Sequence, residues 1–156
     1  MTRGQERTTR TFTVEQANAM LPLVRAITKD LMGLARDLTE RRQRWAGLVN
    51  GRNLRPGDPY ADELLDSKQG IDRDLERLQG FVDELLELGV EPKNLEEGLI
   101  DFPSRFQGSP VYLCWKYGER ELLYYHDRDS GFAGRKPLPA DFGAEVNEEE
   151  WEQSCV

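Results

Sequence analysis

The chain has 156 residues, of which 38% are hydrophobic and 32% are charged, and its formal net charge is -8. This length predicts a single domain over 1–156 with one core. The acidic balance argues against a nucleic-acid-binding protein, because neutralising phosphates requires a basic face. No apolar run approaches the roughly 20 residues of a membrane span, and the N-terminus lacks the apolar segment of a secretory signal. We therefore expect a cytoplasmic protein that does not enter a membrane.

A long helix is predicted over 14–50. Thr13 and Gln16 have the spacing of a capping box, in which each side chain accepts from the backbone of the other residue. Pro22 removes one backbone hydrogen bond inside the helix, so we expect a bend there, and Gly51 should end the helix. The apolar residues recur at alternating intervals of three and four, which indicates a heptad seam: Ala17, Met20, Val24, Ile27, Leu31, Leu34 and Leu38.

A second helix is predicted over 58–88, antiparallel to the first. Asp58 is a good N-cap and Pro59 fits the first helical position. The first helix would be roughly 55 Å long, whereas a domain of this size has a radius of gyration near 15 Å. The helical hairpin should therefore protrude and leave its seam half-covered. We expect a homodimer in which two hairpins form a four-helix bundle; the alternative is a monomer whose sheet packs along the hairpin.

Residues 98–138 predict a small antiparallel sheet of about three strands, which makes the fold class α+β. Apolar residues alternate from Val111 to Tyr117 and again from Leu122 to His126. Gly118 and Glu119 suit a two-residue type II′ turn between these strands. That turn would place Val111 opposite His126 and would put Cys114 on the other face of the sheet. The last segment, 139–156, is expected to be a solvated acidic tail with one possible anchor at Trp151.

His126 is the first candidate for chemistry, because its unperturbed pKa lies near neutrality. It could act as a general base with Asp101 and Glu15, or bind a metal with Asp127 and Asp129. A hydrogen-bonded structural histidine is the competing interpretation. No cofactor is predicted, although a divalent metal is left open.

A glycine-rich loop follows the second strand of the predicted β-hairpin. The amides of Gly131 and Gly134 and the planar fork of Arg135 could bind an anion. Alternatively, Arg135 pairs with a carboxylate such as Asp101 or Glu15 and fastens the loop to the sheet. We favour this second interpretation, because the segment matches no complete phosphate-binding motif.

Two functions from different classes follow. The first is a non-enzymatic interaction or scaffold protein, dimeric through its hairpin and open to another protein partner. The second is a small metal-dependent or hydrolytic enzyme that uses His126 with Asp101 and Glu15. A nucleic-acid accessory role is weaker, since arginines such as Arg41 and Arg52 near the hairpin tip are more typical of a solvated helix face.

Several short motifs spread from Phe12 to Leu138 together resemble an uncharacterised bacterial family, domain of unknown function 2203 (DUF2203). The resemblance implies a helical hairpin with a small sheet, and it implies no activity, substrate or cofactor. The motifs that carry it are Phe12 to Asn18, Leu21-Pro22, Gly98 to Pro103, Leu113-Cys114-Trp115, Tyr125-His126 and Gly131 to Leu138.

Overall fold

The structure, a computed structural model, describes residues 10–52, 55 and 57–142. Its α+β fold confirms the predicted class, with five strands instead of about three. The elements are α1 (Val14–Val49), α2 (Pro59–Glu87), β1 (Glu91–Asn94), β2 (Leu99–Phe106), β3 (Ser109–Lys116), β4 (Tyr124–Asp127) and β5 (Lys136–Pro137), with a short 3-10 helix at Phe132–Gly134. Neither helix is both long and apolar enough to cross a bilayer, within the ranges described.

The two helices begin where their capping residues predict. The Thr13 side chain accepts from the Gln16 amide at 3.1 Å, and the Gln16 side chain accepts from the Thr13 amide at 3.0 Å. Asp58 caps α2 by accepting from the Tyr60 amide at 3.0 Å. These bonds satisfy amides that a helix start otherwise leaves without partners. The helix α1 continues through Pro22 for 36 residues.

The buried seam of α1 differs from the predicted one at every second position. Met20, Ile27 and Leu34 are only half-buried, and small or neighbouring residues take their places in the interface. The buried residues are Ala17, Leu21, Val24, Thr28, Leu31, Ala35 and Leu38. Small residues such as Thr28 and Ala35 allow close approach of the packed elements, which a ranking by hydrophobicity does not reveal.

The five strands form one antiparallel meander in chain order. One face of the sheet packs Ile100, Phe102 and Trp115, all 0% exposed, into the core that α1 and α2 complete. Because side chains alternate between faces, Asp101 and Cys114 lie on the other face. The extra strands are β1, which precedes the predicted sheet region 98–138, and β5, within the glycine-rich loop region.

The register predicted for β3 and β4 is wrong by one residue. Tyr112 lies opposite His126 and Cys114 lies opposite Tyr124. The connection is longer than the predicted two-residue turn, because nine residues, 115–123, separate the paired Cys114 and Tyr124. Within it a turn forms at 116–119: the Glu119 amide donates to the Lys116 carbonyl at 3.0 Å, and Gly118 has a φ of +104° at the third turn position. A one-residue slip moves a whole strand's side chains to the opposite face. His126 and Cys114 therefore share a face, contrary to the sequence-based expectation.

The first residues after β5 pack against the rest of the protein. Phe142 is 7% exposed and stacks on Phe106 at a ring distance of 4.9 Å. The remainder of the predicted acidic tail, including Trp151, lies outside the described residues.

Candidate functional site

Three chemically different side chains meet on the outer face of the sheet. Asp101 on β2, Cys114 on β3 and His126 on β4 come from three adjacent strands. They are 3%, 2% and 3% exposed, respectively. A ligand atom from each, one oxygen, one sulfur and one nitrogen, lies within 4.8 Å of the others. We call these residues the three-strand cluster.

The hydrogen bonds of His126 fix its tautomer. Its Nδ1 lies 2.7 Å from the backbone carbonyl oxygen of Asp127, and a carbonyl can only accept, so Nδ1 carries a proton. Its Nε2 lies 3.0 Å from Oδ2 of Asp101. One proton lies between these two atoms, carried either by Nε2 or by the carboxyl. The expected pairing of His126 with Asp101 is present.

Burial of Asp101 raises the pKa of its carboxyl above the ordinary value, and the neighbouring His126 and then Lys93 oppose that rise. Desolvation disfavours the charged form of a buried acid. The carboxyl thus holds a proton more readily than an exposed aspartate does.

Cys114 is not an activated nucleophile. Burial, followed by the negative charge of Asp101, raises the pKa of its thiol to about 12, although Arg135 acts in the opposite direction. Nucleophilic cysteines instead require a lowered pKa or an adjacent free base. Both ring nitrogens of His126 are already engaged, so His126 does not supply that base.

A cavity of about 280 Å³ opens over the three-strand cluster. Lys93 and Arg128 lie on its wall with Tyr112, whose ring they face at 5.0 and 5.7 Å. The cavity connects the buried donors with solvent. A small molecule or ion entering it would meet two cations and an aromatic ring before it reached the cluster.

The other acidic candidates lie apart from the cluster. Glu15 is exposed in the first turn of α1 and does not line the cavity. The Asp127 carboxylate lies 3.9 Å from Lys136 and is 66% exposed, and only its backbone carbonyl contacts His126. Asp129 lines the cavity wall.

Arg135 fastens the glycine-rich loop to the sheet, with a partner that the sequence did not suggest. Its guanidinium donates two hydrogen bonds to Glu119, at 3.0 and 3.1 Å, and its Cζ lies 4.0 Å from the centre of the Tyr124 ring. The planar fork is thus already used by a carboxylate. Gly131 lines the cavity, whereas Gly134 lies against Ser130.

The arginines of α1 near the hairpin tip include paired side chains. Arg41 contacts Asp74 of α2 at 2.5 Å and Asp37 at 3.2 Å. Arg52 lies over the Tyr60 ring at 4.6 Å. The charge of Arg41 is therefore balanced within the hairpin.

Sequence reasoning missed Cys114 and Glu119. The predicted two-residue connection excluded Cys114, and one signal could have corrected it: the predicted register placed His126 on the same face as Val111, Leu113 and Trp115. A buried polar side chain requires partners, and the neighbouring register brings His126 to Asp101 instead. For Glu119, no pattern in the sequence indicated a pairing with Arg135.

Comparison with known proteins identifies the family of the chain. The chain matches the family DUF2203, described as an uncharacterized conserved protein, over residues 10–138. No curated protein and no solved structure matches it. The bacterial origin and the cytoplasmic location predicted from the sequence stay predictions. Since the match covers most of the chain and agrees with the resemblance carried by its motifs, this protein belongs to the DUF2203 family.

Proposed function

We propose that this protein is a non-enzymatic interaction protein that forms a homodimer through the α1–α2 hairpin. The observation that carries the proposal is a second apolar stripe on α1, beside the buried seam. The occupant of this stripe is a second copy of the chain.

The hairpin extends beyond the sheet. The core cluster takes its α1 residues from the first half of the helix, as far as Leu31. Farther along, Arg36 donates to the Glu96 carbonyl at 3.0 Å, and the side chain of Thr39 donates to Glu96. Past Thr39, the hydrogen bonds and ion pairs of α1 to other described elements go to α2, as from the Trp45 indole to the Leu64 carbonyl at 2.8 Å.

The second stripe has the repeat of a helix-packing seam. Met20, Ile27 and Leu34 are spaced by seven and only half-buried, and Met20 and Ile27 pack on one side against the core. The next position of the repeat is Arg41, which pairs with Asp74 of α2. Leu48 then continues the spacing with 39% exposure, and Leu23 lies beside the repeat with 52%. A seven-residue apolar repeat is the pattern that helices bury against one another. Full burial of such side chains is worth roughly 1.5–3 kcal/mol each, so pairing two stripes would stabilise a dimer.

The identity of the occupant follows from the repeat. A stripe parallel to the chain's own seam is suited to a straight helix of similar length, and α1 of a second copy provides one with the same repeat. Two hairpins joined in this way form a four-helix bundle. The hydrolytic alternative has less support, because the three-strand cluster lacks a free base and Glu15 lies apart from it.

Sedimentation equilibrium with a matched pair of variants tests the proposal. Leu23→Glu places a charge on the stripe, and Ala26→Glu places the same charge on an exposed position of the same helix. We expect the wild type and Ala26→Glu to be dimers at micromolar concentrations and Leu23→Glu to be monomeric. A monomeric wild type, or equal dissociation of both variants, would refute the proposal.

A further inference from the structure

The three-strand cluster supports an inference that is independent of the hairpin. Its donors already converge: the Nε2–Oδ2 distance is 3.0 Å, and all three donor atoms lie within 4.8 Å of one another. Ligand atoms around a tetrahedral zinc ion, bound at about 2.0–2.3 Å, are separated by roughly 3.3–3.7 Å. The side chains thus need only small movements to share one ion.

The surroundings of His126 are those of a metal ligand. A ligating histidine usually donates its second ring N–H to a carbonyl or a carboxylate, which fixes the tautomer and the ring orientation. Here Nδ1 donates to the Asp127 carbonyl. The lone pair of Nε2, once the proton shared with Asp101 leaves, is directed at Oδ2 of Asp101, and the Cys114 sulfur lies within 4.8 Å of both atoms.

The donor types select the metal. A thiolate, an imidazole and a carboxylate together suit zinc and similar late first-row transition metals, here called zinc-class ions. They disfavour magnesium and calcium, which prefer oxygen ligands. Binding would release the thiol proton and the proton shared by Asp101 and His126. Two anionic ligands and one neutral ligand then balance a divalent ion, so the buried site carries no net charge.

Arg135 and the cavity fit the same role, although Lys93 and Arg128 on the cavity wall repel an entering cation. The Arg135 guanidinium lowers the pKa of the Cys114 thiol, against the effect of burial, and Glu119 holds that guanidinium in place through two hydrogen bonds. An outer partner of this kind can donate to a ligating sulfur. On the remaining side, the cavity of about 280 Å³ leaves room for a fourth ligand from solvent.

We infer that Asp101, Cys114 and His126 bind one zinc-class divalent ion, with the fourth coordination position open to the cavity. This assignment adds Cys114 to the metal candidates suggested by the sequence and replaces Asp127 and Asp129. It does not depend on the oligomeric state.

Cobalt(II) titration of the full chain tests the site. The protein is purified without a histidine tag and stripped with a chelator, and then Co²⁺ is added while the absorption spectrum is recorded. A cobalt–thiolate bond gives a charge-transfer band in the near ultraviolet, and four-coordinate cobalt gives intense visible bands. We expect both to saturate at one ion per chain and to disappear when Zn²⁺ displaces the cobalt.

Matched variants identify the ligands. Cys114→Ser should abolish the charge-transfer band, whereas Cys155→Ser, which removes the chain's other cysteine, should leave it unchanged. Asp101→Asn keeps the shape of the carboxyl and can still donate to Nε2. It should weaken cobalt binding by at least the 10- to 100-fold typical of losing an outer-shell partner.

Circular dichroism of each variant shows whether it is folded. If Cys114→Ser does not fold, the cobalt titrations of the wild type and of Asp101→Asn decide whether the site binds metal. Absence of stoichiometric binding by the wild type would overturn the inference. So would a band that depends on Cys155, or unchanged affinity in a folded Asp101→Asn.

Discussion

Similar residues are buried to different degrees at the sheet end of the molecule and in the distal half of the helical hairpin. At the sheet end, Trp115 is 0% exposed and donates to the Glu119 carbonyl at 2.9 Å. In the distal hairpin, Trp45 is half-buried and lies in the walls of two open grooves. The sheet end has helices and strands on all sides of its core, whereas the distal hairpin has a single partner helix. Stability is therefore concentrated at the sheet end, and the distal hairpin retains apolar surface for a partner.

The largest expected contrast compares two leucines of α1. Leu31 is 0% exposed, whereas Leu48 is 39% exposed. Leu31→Ala should lower the free energy of unfolding by about 2–5 kcal/mol, the usual cost of emptying a core position. Leu48→Ala should lower it by less than about 1 kcal/mol at protein concentrations that favour the monomer. Urea unfolding measures both, and equal losses would contradict the proposed difference between the two regions.

The next contrast concerns the ion pair that fastens the glycine-rich loop. Glu119 and Arg135 have side chains only 19% and 18% exposed. Glu119→Ala should cost about 1.5–3 kcal/mol, since it removes hydrogen bonds to a charged group. Glu121→Ala, at an exposed position two residues away, is the control and should change stability by less than about 0.5 kcal/mol. If thermal or urea unfolding finds the two variants alike, Glu119 does not fasten the loop.

A third pair applies one substitution to two glycines. Gly98 has a φ of +68°, and an added Cβ would lie 2.6 Å from the Met32 sulfur and 2.7 Å from Cβ of Tyr117. Gly98→Ala should therefore destabilise by about 1–3 kcal/mol. Gly33 lies in α1, and apart from the backbone of its own helical turn no atom lies within 4 Å of an added Cβ, so Gly33→Ala should stabilise by roughly 0.5–1 kcal/mol. Stabilisation by Gly98→Ala would contradict the tight packing at the sheet end.

The smallest effect is a pH dependence at the three-strand cluster, measured without metal. Burial raises the pKa of Asp101 in the folded state. The protonated Asp101 carboxyl stabilises the folded state, fully so below the ordinary carboxyl pKa. This stabilisation is lost as the pH rises through the raised pKa of the folded state. Asp101→Asn removes this loss, so the variant should gain stability relative to the wild type as the pH rises. Asp129→Asn, at an exposed position, should not; a difference that shrinks with rising pH would contradict the assignment.

Both helices and the strands β3 and β4 were predictable, because each had a local signal, whereas β1 and β5 were not predicted. The capping box at Thr13 and the Asp58-Pro59 start gave the helix bounds, and alternation gave β3 and β4. The seam of α1 was harder, since Thr28 and Ala35 are buried through close approach of other elements and not through their own hydrophobicity. The buried seam and the half-buried stripe lie side by side along α1, and the sequence alone did not show which of them faces the core.

The candidate site was predictable in part. Asp101 and His126 were identified together, as polar residues in apolar strands. Cys114 was excluded because a two-residue turn was predicted, whereas the nine residues 115–123 separate the paired Cys114 and Tyr124. An odd number of connecting residues in place of an even one shifts the register by one residue and changes which side chains share a face. The Lys116 amide donates to the Glu119 side chain at 2.7 Å. This contact within the turn has no signature in the pattern of apolar residues.

Hydrogen exchange at several protein concentrations tests the central contrast most directly. Amides of α1 around Leu34 and Leu48 should become more protected as the concentration rises from nanomolar to micromolar, because a second copy covers the outer stripe. Amides of β2 and β3 should exchange at the same rate throughout. Protection of the hairpin that does not change with concentration would contradict the account.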